Sequence, residues 1–255
     1  MRRSWLIVLF VSVLIGTLIV TMPLSFVLDM AGVRKTGVDW QRVEGNIFKG
    51  EITGLSHGSQ SLGSVTLELR PRELFAARLG YAIEVTGPAI EGAAVLAIGR
   101  KTAVLRDVNG SADVGRLIYL VGDIRNVGGS IDISDAEVDL NTSNLECSGA
   151  DGLIASNLLD RLAGSLANQS ASQLSGNIAC VGGALTLLME GIINQTDPVT
   201  LDGVLSAQDR SRVEITVRTQ DALLAAGLDR YGFEQNGDDF VIRQEVVTIG
   251  GLING

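Results

Sequence analysis

Apolar and polar residues alternate with a period of two over much of this chain, and this pattern constrains its fold more than any other feature. The clearest stretches are residues 65–70, 131–134, 185–189 and 212–218. Successive side chains of a β-strand point to opposite faces of a sheet, so these stretches predict antiparallel strands with one buried and one solvated face. Glycines separate them at hairpin spacing, namely Gly45, Gly50, Gly87, Gly92, Gly128, Gly129, Gly182 and Gly183. The pattern predicts a mainly β fold, a long twisted antiparallel β-meander.

Helical patterns are few. A proline in the first turn predicts a short helix over residues 71–79, and apolar residues on one stripe predict an amphipathic helix over 151–168. Residues 221–226, closed by Gly227, predict a third. Asn236-Gly237 predicts a two-residue hairpin turn. No linker divides the region, so residues 29–255 are expected to form one domain.

The segment from Trp5 to Leu28 carries no charge in 24 residues, of which 18 are apolar. As a helix it would extend roughly 36 Å, enough to cross a hydrocarbon core of about 30 Å. Arg2 and Arg3 precede it, so the positive-inside rule predicts a cytoplasmic N-terminus over 1–4, a transmembrane signal anchor over 5–28 and an exported domain over 29–255. A cleaved signal peptide is the alternative, but the apolar run is longer than such peptides need and lacks a small-residue cleavage site.

The two cysteines, Cys147 and Cys180, fit an exported domain because disulfides persist outside the cytoplasm. A disulfide between them would connect the segments that flank the predicted helix over 151–168. By loop-closure entropy it would stabilise the domain by roughly 3–4 kcal/mol. Two buried free thiols are the alternative interpretation.

Composition argues against several kinds of active site. The chain has 29 acidic and 20 basic side chains, a net charge of −9, and a nucleic-acid-binding protein would instead show a clustered basic surface. His57 is the single histidine, so metal sites built on histidines and histidine-based nucleophile systems lack residues. Aromatic residues are 4% of the chain, too few for an aromatic-lined cofactor pocket. We therefore expect neither a cofactor nor a metal, and a protein that is not an enzyme.

Three weaker features have alternative interpretations. His57 adjoins a polar turn and is interpreted as a surface loop histidine. Asp132, Asp135, Glu137 and Asp139 lack the ligand spacing of a calcium loop and are interpreted as carboxylates on the exposed face of a strand. A continuous apolar sheet face could hold acyl chains, although an ordinary core is the simpler interpretation.

One short element carries a family resemblance. Within residues 40–55, the spacing V-x-G-x-I-F-x-G is supplied by Val43, Gly45, Ile47, Phe48 and Gly50. This element resembles that of the type II secretion system protein N family, whose members are about this length and have an N-terminal anchor and a β-rich periplasmic body. Asn46 stands where a small hydroxyl residue is usual in that family.

A second stretch, residues 174–183, contains Cys180, Gly182 and Gly183. It resembles the Gly-Cys-Gly-Gly strand turn of the same family, whose partner cysteine lies upstream, here at Cys147. The resemblance covers nearly the whole chain in order and length.

The resemblance implies an inner-membrane, non-enzymatic component of the machinery that exports folded proteins across the outer membrane, with other type II secretion components as partners. It implies an assembly or scaffolding role and transfers no catalytic residues. Residues 65–88, a strand followed by a proline and a short helix, also resemble a repeat of AsmA-like membrane-anchored proteins. Lipid binding or lipid transfer is therefore the alternative function.

Overall fold

The computed structural model describes residues 5, 10, 11, 14, 17, 20–30, 32–57, 60–113, 116, 128–167, 170–206 and 211–246. Its dominant feature is one antiparallel sheet of 15 strands, as the alternation predicts. The strands are β1 (Val38–Asp39), β2 (Arg42–Gly45), β3 (Lys49–His57), β4 (Gln60–Leu69), β5 (Leu79–Thr86), β6 (Ile90–Ile98), β7 (Thr102–Asp113), β8 (Ser130–Asn141), β9 (Cys147–Ser156), β10 (Leu174–Val181), β11 (Ala184–Ile193), β12 (Asp197–Leu205), β13 (Ser211–Arg218), β14 (Glu234–Asn236) and β15 (Asp239–Val246).

The sheet is a meander in which neighbours in sequence are neighbours in space. From β3 to β13 every strand pairs with the next one along the chain. At one end of this order β1 and β2 both pair with β3, and at the other end β15 pairs with β13 and carries β14 at the edge. Short connections between consecutive strands favour this topology.

Beyond the helical residues described among positions 5–21, the described parts of the chain contain four α-helices and one 3₁₀ helix. They are α1 (Leu24–Met30), the 3₁₀ helix (Val33–Thr36), α2 (Pro71–Leu74), α3 (Leu158–Ala167) and α4 (Ala222–Arg230). The short helix at Pro71 ends at Leu74, five residues earlier than predicted. Residues 75–77 form a turn in which Ala77 has φ of +55°, and Leu79 then begins β5.

The predicted helix over 151–168 is wrong in its first part. Residues up to Ser156 belong to β9, and the helix begins only at Leu158. Ile154 is buried and the adjacent Leu153 is 63% exposed, so these residues follow the period of a strand. Leu153, Ile154 and Ala155 are all apolar, so the sequence does not show this alternation.

The last helix begins as predicted and ends later. The Asp221 carboxylate caps it, accepting hydrogen bonds from the backbone N–H groups of Leu223 and Leu224. Gly227 lies buried within the helix and does not end it. Gly232, with φ of +84°, provides the left-handed residue, and the N–H of Phe233 donates to the carbonyl of Leu228, which is a Schellman motif.

The hairpin predicted at Asn236-Gly237 is present, shifted by one residue. Asn236 pairs with Asp239, so the two turn residues are Gly237 and Asp238. Gly237 has φ of +67°, which explains the need for glycine at this position.

The N-terminal segment is described only in part. The described residues among positions 5–21 are helical, whereas residues 1–4 and the other positions before residue 20 lie outside the description. Within the part of the chain that is described, no helix combines the length and apolar character needed to span a membrane. The anchor over 5–28 stays a prediction.

One apolar face extends across the whole sheet. Partners in register share a face, and one row of partners runs through Ile52, Val65, Val85, Gly92, Gly110, Ile133, Ile154, Gly176, Met189, Leu201, Ile215 and Ile242. Helices α3 and α4 pack on its C-terminal part, where Leu159, Leu224 and Leu228 join the buried core. Over β4–β8 the members of this row are only half-buried.

Candidate functional site

The element that carries the family resemblance is the turn between β2 and β3. Gly45 pairs with Gly50, and the N–H of Asn46 donates to the carbonyl of Lys49 at 3.0 Å. The Asn46 side-chain oxygen accepts hydrogen bonds from the N–H groups of Phe48 at 2.9 Å and Lys49 at 3.1 Å. This is an Asx-type turn, for which Ser or Thr would supply a similar oxygen. The departure from the family pattern at Asn46 therefore preserves the acceptor.

The two glycines of this turn leave room for close neighbours. Gly45 has φ of +87°, and a Cβ there would overlap the carbonyl oxygen of Lys49. A Cβ on Gly50 would overlap the Leu24 side chain, which is buried against this hairpin. Pro23 also forms an isolated β-bridge with Asn46. The N-terminal segment therefore contacts the β-domain at this turn, through Pro23 and Leu24.

Backbone groups at the tip of the turn connect it to the next strands. The Phe48 carbonyl accepts a hydrogen bond from Leu69 N–H at 2.7 Å, and the Ile47 carbonyl accepts one from the Tyr81 hydroxyl at 3.0 Å. Burial raises the pKa of the Tyr81 phenol above its ordinary value. Val43 lies half-buried in β2, and the Phe48 side chain is 36% exposed.

Neither Leu24 nor Tyr81 stands out in the sequence. Leu24 is one apolar residue among many in the N-terminal segment, and Tyr81 is one residue of an alternating strand. Their roles depend on the pairing of β2, β3, β4 and β5, which brings residues far apart in sequence to one corner of the sheet.

Cys147 and Cys180 form a disulfide, with Cα atoms 5.6 Å apart. Strands β9 and β10 pair only from Leu174↔Ser156 to Asn177↔Leu153, after which the two strands have no further register partners. The disulfide therefore joins β9 and β10 where their backbone pairing has ended.

Gly182 and Gly183 form the two-residue turn between β10 and β11, closed by the pair Val181↔Ala184. Both have positive φ, +61° and +83°, which is the requirement of a type I′ hairpin turn. The Gly183 carbonyl accepts a hydrogen bond from Cys147 N–H at 2.8 Å. The second resemblance motif and the disulfide thus form one corner of the sheet.

An apolar groove of about 200 Å³ lies on the half-buried part of the sheet face. Its main apolar lining residues are Ile83, Val85, Ile90, Val108, Ile131 and Ile133. Gly92 and Gly110 face each other across β6 and β7 at its floor, and a Cβ on either would overlap the backbone of the opposite strand. Glycine thereby allows the two strands to approach closely.

The residues considered for chemistry lie apart. His57 is the last residue of β3 and is half-buried against Gly37. The prediction of a loop histidine is therefore wrong. Gly58 and Ser59, which follow it, lie outside the described residues. The acidic residues at 132, 135, 137 and 139 lie along β8, where Asp135 has φ of +49° at a break in the pairing. Among the described residues, no three His, Cys, Asp or Glu side chains are grouped as metal ligands.

Comparison with known proteins gives one match. A family model described as "Type II secretion system (T2SS), protein N" matches residues 36–243. This range contains the N-terminal hairpin, both cysteines and nearly all of the sheet. No match was found among curated proteins or solved structures.

Proposed function

This chain belongs to the type II secretion system protein N family, and from that membership we propose that it is a non-enzymatic assembly or scaffolding component of the type II secretion machinery. In this proposal a single N-terminal helix holds it in the inner membrane, with residues 1–4 in the cytoplasm and residues 29–255 in the periplasm. The extent of the family match, which includes most of the β-domain, carries the proposal.

The architecture supports a protein that works by contact. A meander of 15 strands presents long, regular surfaces, and strand edges and exposed side chains are the groups that recognise other proteins. The Cys147–Cys180 disulfide is typical of a domain that matures outside the reducing cytoplasm.

Exposed apolar side chains support the proposed anchor. Trp5, Phe10 and Leu14 lie on helical positions and are 69%, 67% and 49% exposed. In water this exposure would be unfavourable, whereas in a bilayer the same side chains would contact acyl chains.

Secretion of folded exoproteins tests the role in the machinery. Deleting the gene should shift folded exoproteins from the medium to the periplasm, and the wild-type gene should restore secretion. Asn46→Val, which removes the turn's acceptor, should restore it poorly, whereas the matched control Asn46→Ser should restore it fully. Normal secretion in the deletion strain, with the exoproteins still dependent on the rest of the machinery, would overturn the proposal.

Thiol labelling of intact cells tests the topology separately. A cysteine placed at Ser4 should react only after the inner membrane is permeabilised, and one placed at the exposed Leu223 should react with a reagent that enters only the periplasm. The reverse pattern, or loss of residues 1–28 from the mature protein, would exclude a signal anchor with this orientation.

A second candidate function, AsmA-like lipid binding, is favoured by the apolar groove on β5–β8. Its lining is almost wholly apolar, and no described element packs over it. Mass spectrometry of gently extracted protein should then detect bound phospholipid. Ala94→Phe, which fills the groove, should reduce this binding, while Ala82→Phe on the opposite sheet face should not. Equal lipid content in the two variants would count against binding in the groove.

A further inference from the structure

One end of the open part of the sheet is basic in a chain of net charge −9. The connections β4–β5 and β6–β7 lie at this end and carry five basic residues, Arg70, Arg72, Arg78, Arg100 and Lys101, which we call the basic rim. The two connections are adjacent, since a Cβ on Gly99 would lie 3.6 Å from the Arg78 side chain.

The charges of the basic rim are available for a partner. Within the part of the chain described here, none of the five makes an ion pair. Glu73 is the single acidic residue in these two connections, and its carboxylate faces Arg106 at 3.7 Å. Because Arg106 already lies beside Glu73, that carboxylate offsets little of the rim's positive charge.

Large apolar side chains project between these charges. Phe75, immediately after α2, is 94% exposed, and Leu74 beside it is 52% exposed. Exposed aromatic and aliphatic groups among Arg and Lys side chains are typical of surfaces that lie at a membrane interface.

The course of the chain brings this end toward the predicted anchor. Pro23 bridges to Asn46, and the turn that contains Asn46 and Phe48 is hydrogen-bonded to Leu69 beside the rim. Val38 pairs with His57 at the opposite end of β3. The chain before Pro23 therefore meets the β-domain at the rim end, which is the end that an anchored domain would turn to the bilayer.

We infer that the basic rim, with Leu74 and Phe75, is a docking surface for the anionic phospholipid headgroups of the membrane in which the chain is anchored. The inference rests on the anchoring in the proposed function and adds an orientation: the strands stand with their rim end against the bilayer. Each Arg or Lys side chain near an anionic membrane surface has a favourable electrostatic interaction with the surface potential. This interaction weakens within a Debye length of the surface.

The test uses the full chain in lipid nanodiscs, with an environment-sensitive fluorophore on a cysteine at Phe75. Both native cysteines form the disulfide and no free cysteine is present among the described residues, so labelling is site-specific. In nanodiscs that contain phosphatidylglycerol, we expect a blue-shifted emission that nitroxide-labelled lipids quench. In nanodiscs of phosphatidylcholine alone, or in 1 M salt, where the Debye length is about 3 Å, the shift should be lost.

Two triple variants distinguish an effect of the basic rim from an effect of the protein's overall net charge. On the labelled background, Arg72→Gln, Arg100→Gln and Lys101→Gln together should abolish the lipid-dependent shift. Removing the same number of exposed charges elsewhere, with Arg161→Gln, Arg212→Gln and Arg230→Gln, should leave it unchanged. A fluorophore at Leu223, which is 74% exposed on α4 near the opposite end of the strands, should not respond to lipid.

The inference is overturned if the Phe75 probe gives the same emission in both lipids, or if the two triple variants weaken the shift equally. Resistance of the protein to alkaline extraction from neutral nanodiscs reports on the anchor alone. A retained protein with an unresponsive probe refutes the docking surface and leaves the anchor. A protein that is not retained, but whose probe responds to anionic lipid, refutes the anchor and supports the surface.

Discussion

Two parts of one sheet face differ in what covers them. In the covered half, β9–β15, helices α3 and α4 pack on the apolar face, and Met189, Val199 and Val217 are almost fully buried. In the open half, β4–β8, the same register row continues through side chains that stay half-exposed. The strands are similar in length and alternation, so the difference arises from the helices that the connections supply.

The two halves differ in how much apolar area they bury and in what they leave exposed. The covered half contains the large buried cluster and is expected to provide most of the stability, because free energy follows the apolar area removed from water. The open half retains an apolar groove and the basic rim, which are surfaces available to lipid or to other components. The Cys147–Cys180 disulfide lies between β9 and β10, near the boundary between the halves.

Truncating a core residue of the covered half should have the largest effect. Leu228→Ala removes a side chain with no exposed area and should lower the free energy of unfolding by about 2–5 kcal/mol. Leu223→Ala on the same helix, where the side chain is 74% exposed, should change it by less than about 0.5 kcal/mol. Urea unfolding followed by circular dichroism measures both. Equal effects would mean that α4 does not cover the sheet in solution.

Removing the disulfide should have the next largest effect. Replacing Cys147 and Cys180 by serine releases a loop with a sequence separation of 33 residues and should cost about 2–4 kcal/mol. At low denaturant both halves of the variant should still be folded, because β8–β9 and β10–β11 keep their backbone hydrogen bonds. The lower stability should therefore appear as a lower denaturant midpoint. Reduction of the wild-type protein should give a similar midpoint shift, and an unchanged midpoint would contradict the assignment.

A matched pair of valines compares the two halves directly. Val217 and Val85 lie on the same sheet face, the first fully buried and the second half-exposed. Val217→Ala should cost about 1–2 kcal/mol and Val85→Ala about half of that or less. If Val85→Ala proves as costly in protein purified with its lipids, something covers the open half, and repeating the measurement after delipidation identifies whether lipid does so.

The smallest effect concerns the polar face of the covered half. Arg243 donates a hydrogen bond to Glu214 at 2.7 Å and holds the pKa of that carboxyl below its ordinary value of 4.5. The Arg243–Glu214 pair therefore stabilises the folded state fully at pH values above the pKa that Glu214 has in the unfolded chain. This stabilisation is lost as the pH falls through the lower pKa that Glu214 has in the folded protein. Arg243→Gln should raise the Glu214 pKa, measured by NMR titration. The stability difference from wild type should vanish at low pH, and a pKa unchanged by the substitution would contradict the pairing.

Particular residues show how far the sequence could be interpreted. Val65, Ile133 and Ile215 lie in strands on one face because period-two alternation is a local property of the backbone. Leu153 and Ile154 were expected in a helix, since a run of apolar residues satisfies both periods and only the pairing of β9 with β8 decides between them. The resemblance at residues 43–50 located the N-terminal hairpin, but the packing of Leu24 on Gly50 depends on a contact across 26 positions.

By itself, the sequence determined the secondary structure of most strands, the meander, the glycine turns between strands and membership of a secretion family, because each of these depends on local backbone geometry or on short motifs. Only the tertiary structure decided which half of the apolar face is covered, where β9 and β10 separate and the disulfide joins them, and that the basic residues of two connections meet at one end. These properties depend on distances between residues remote in sequence, and such distances are set by strand register and by helix packing, not by any local pattern.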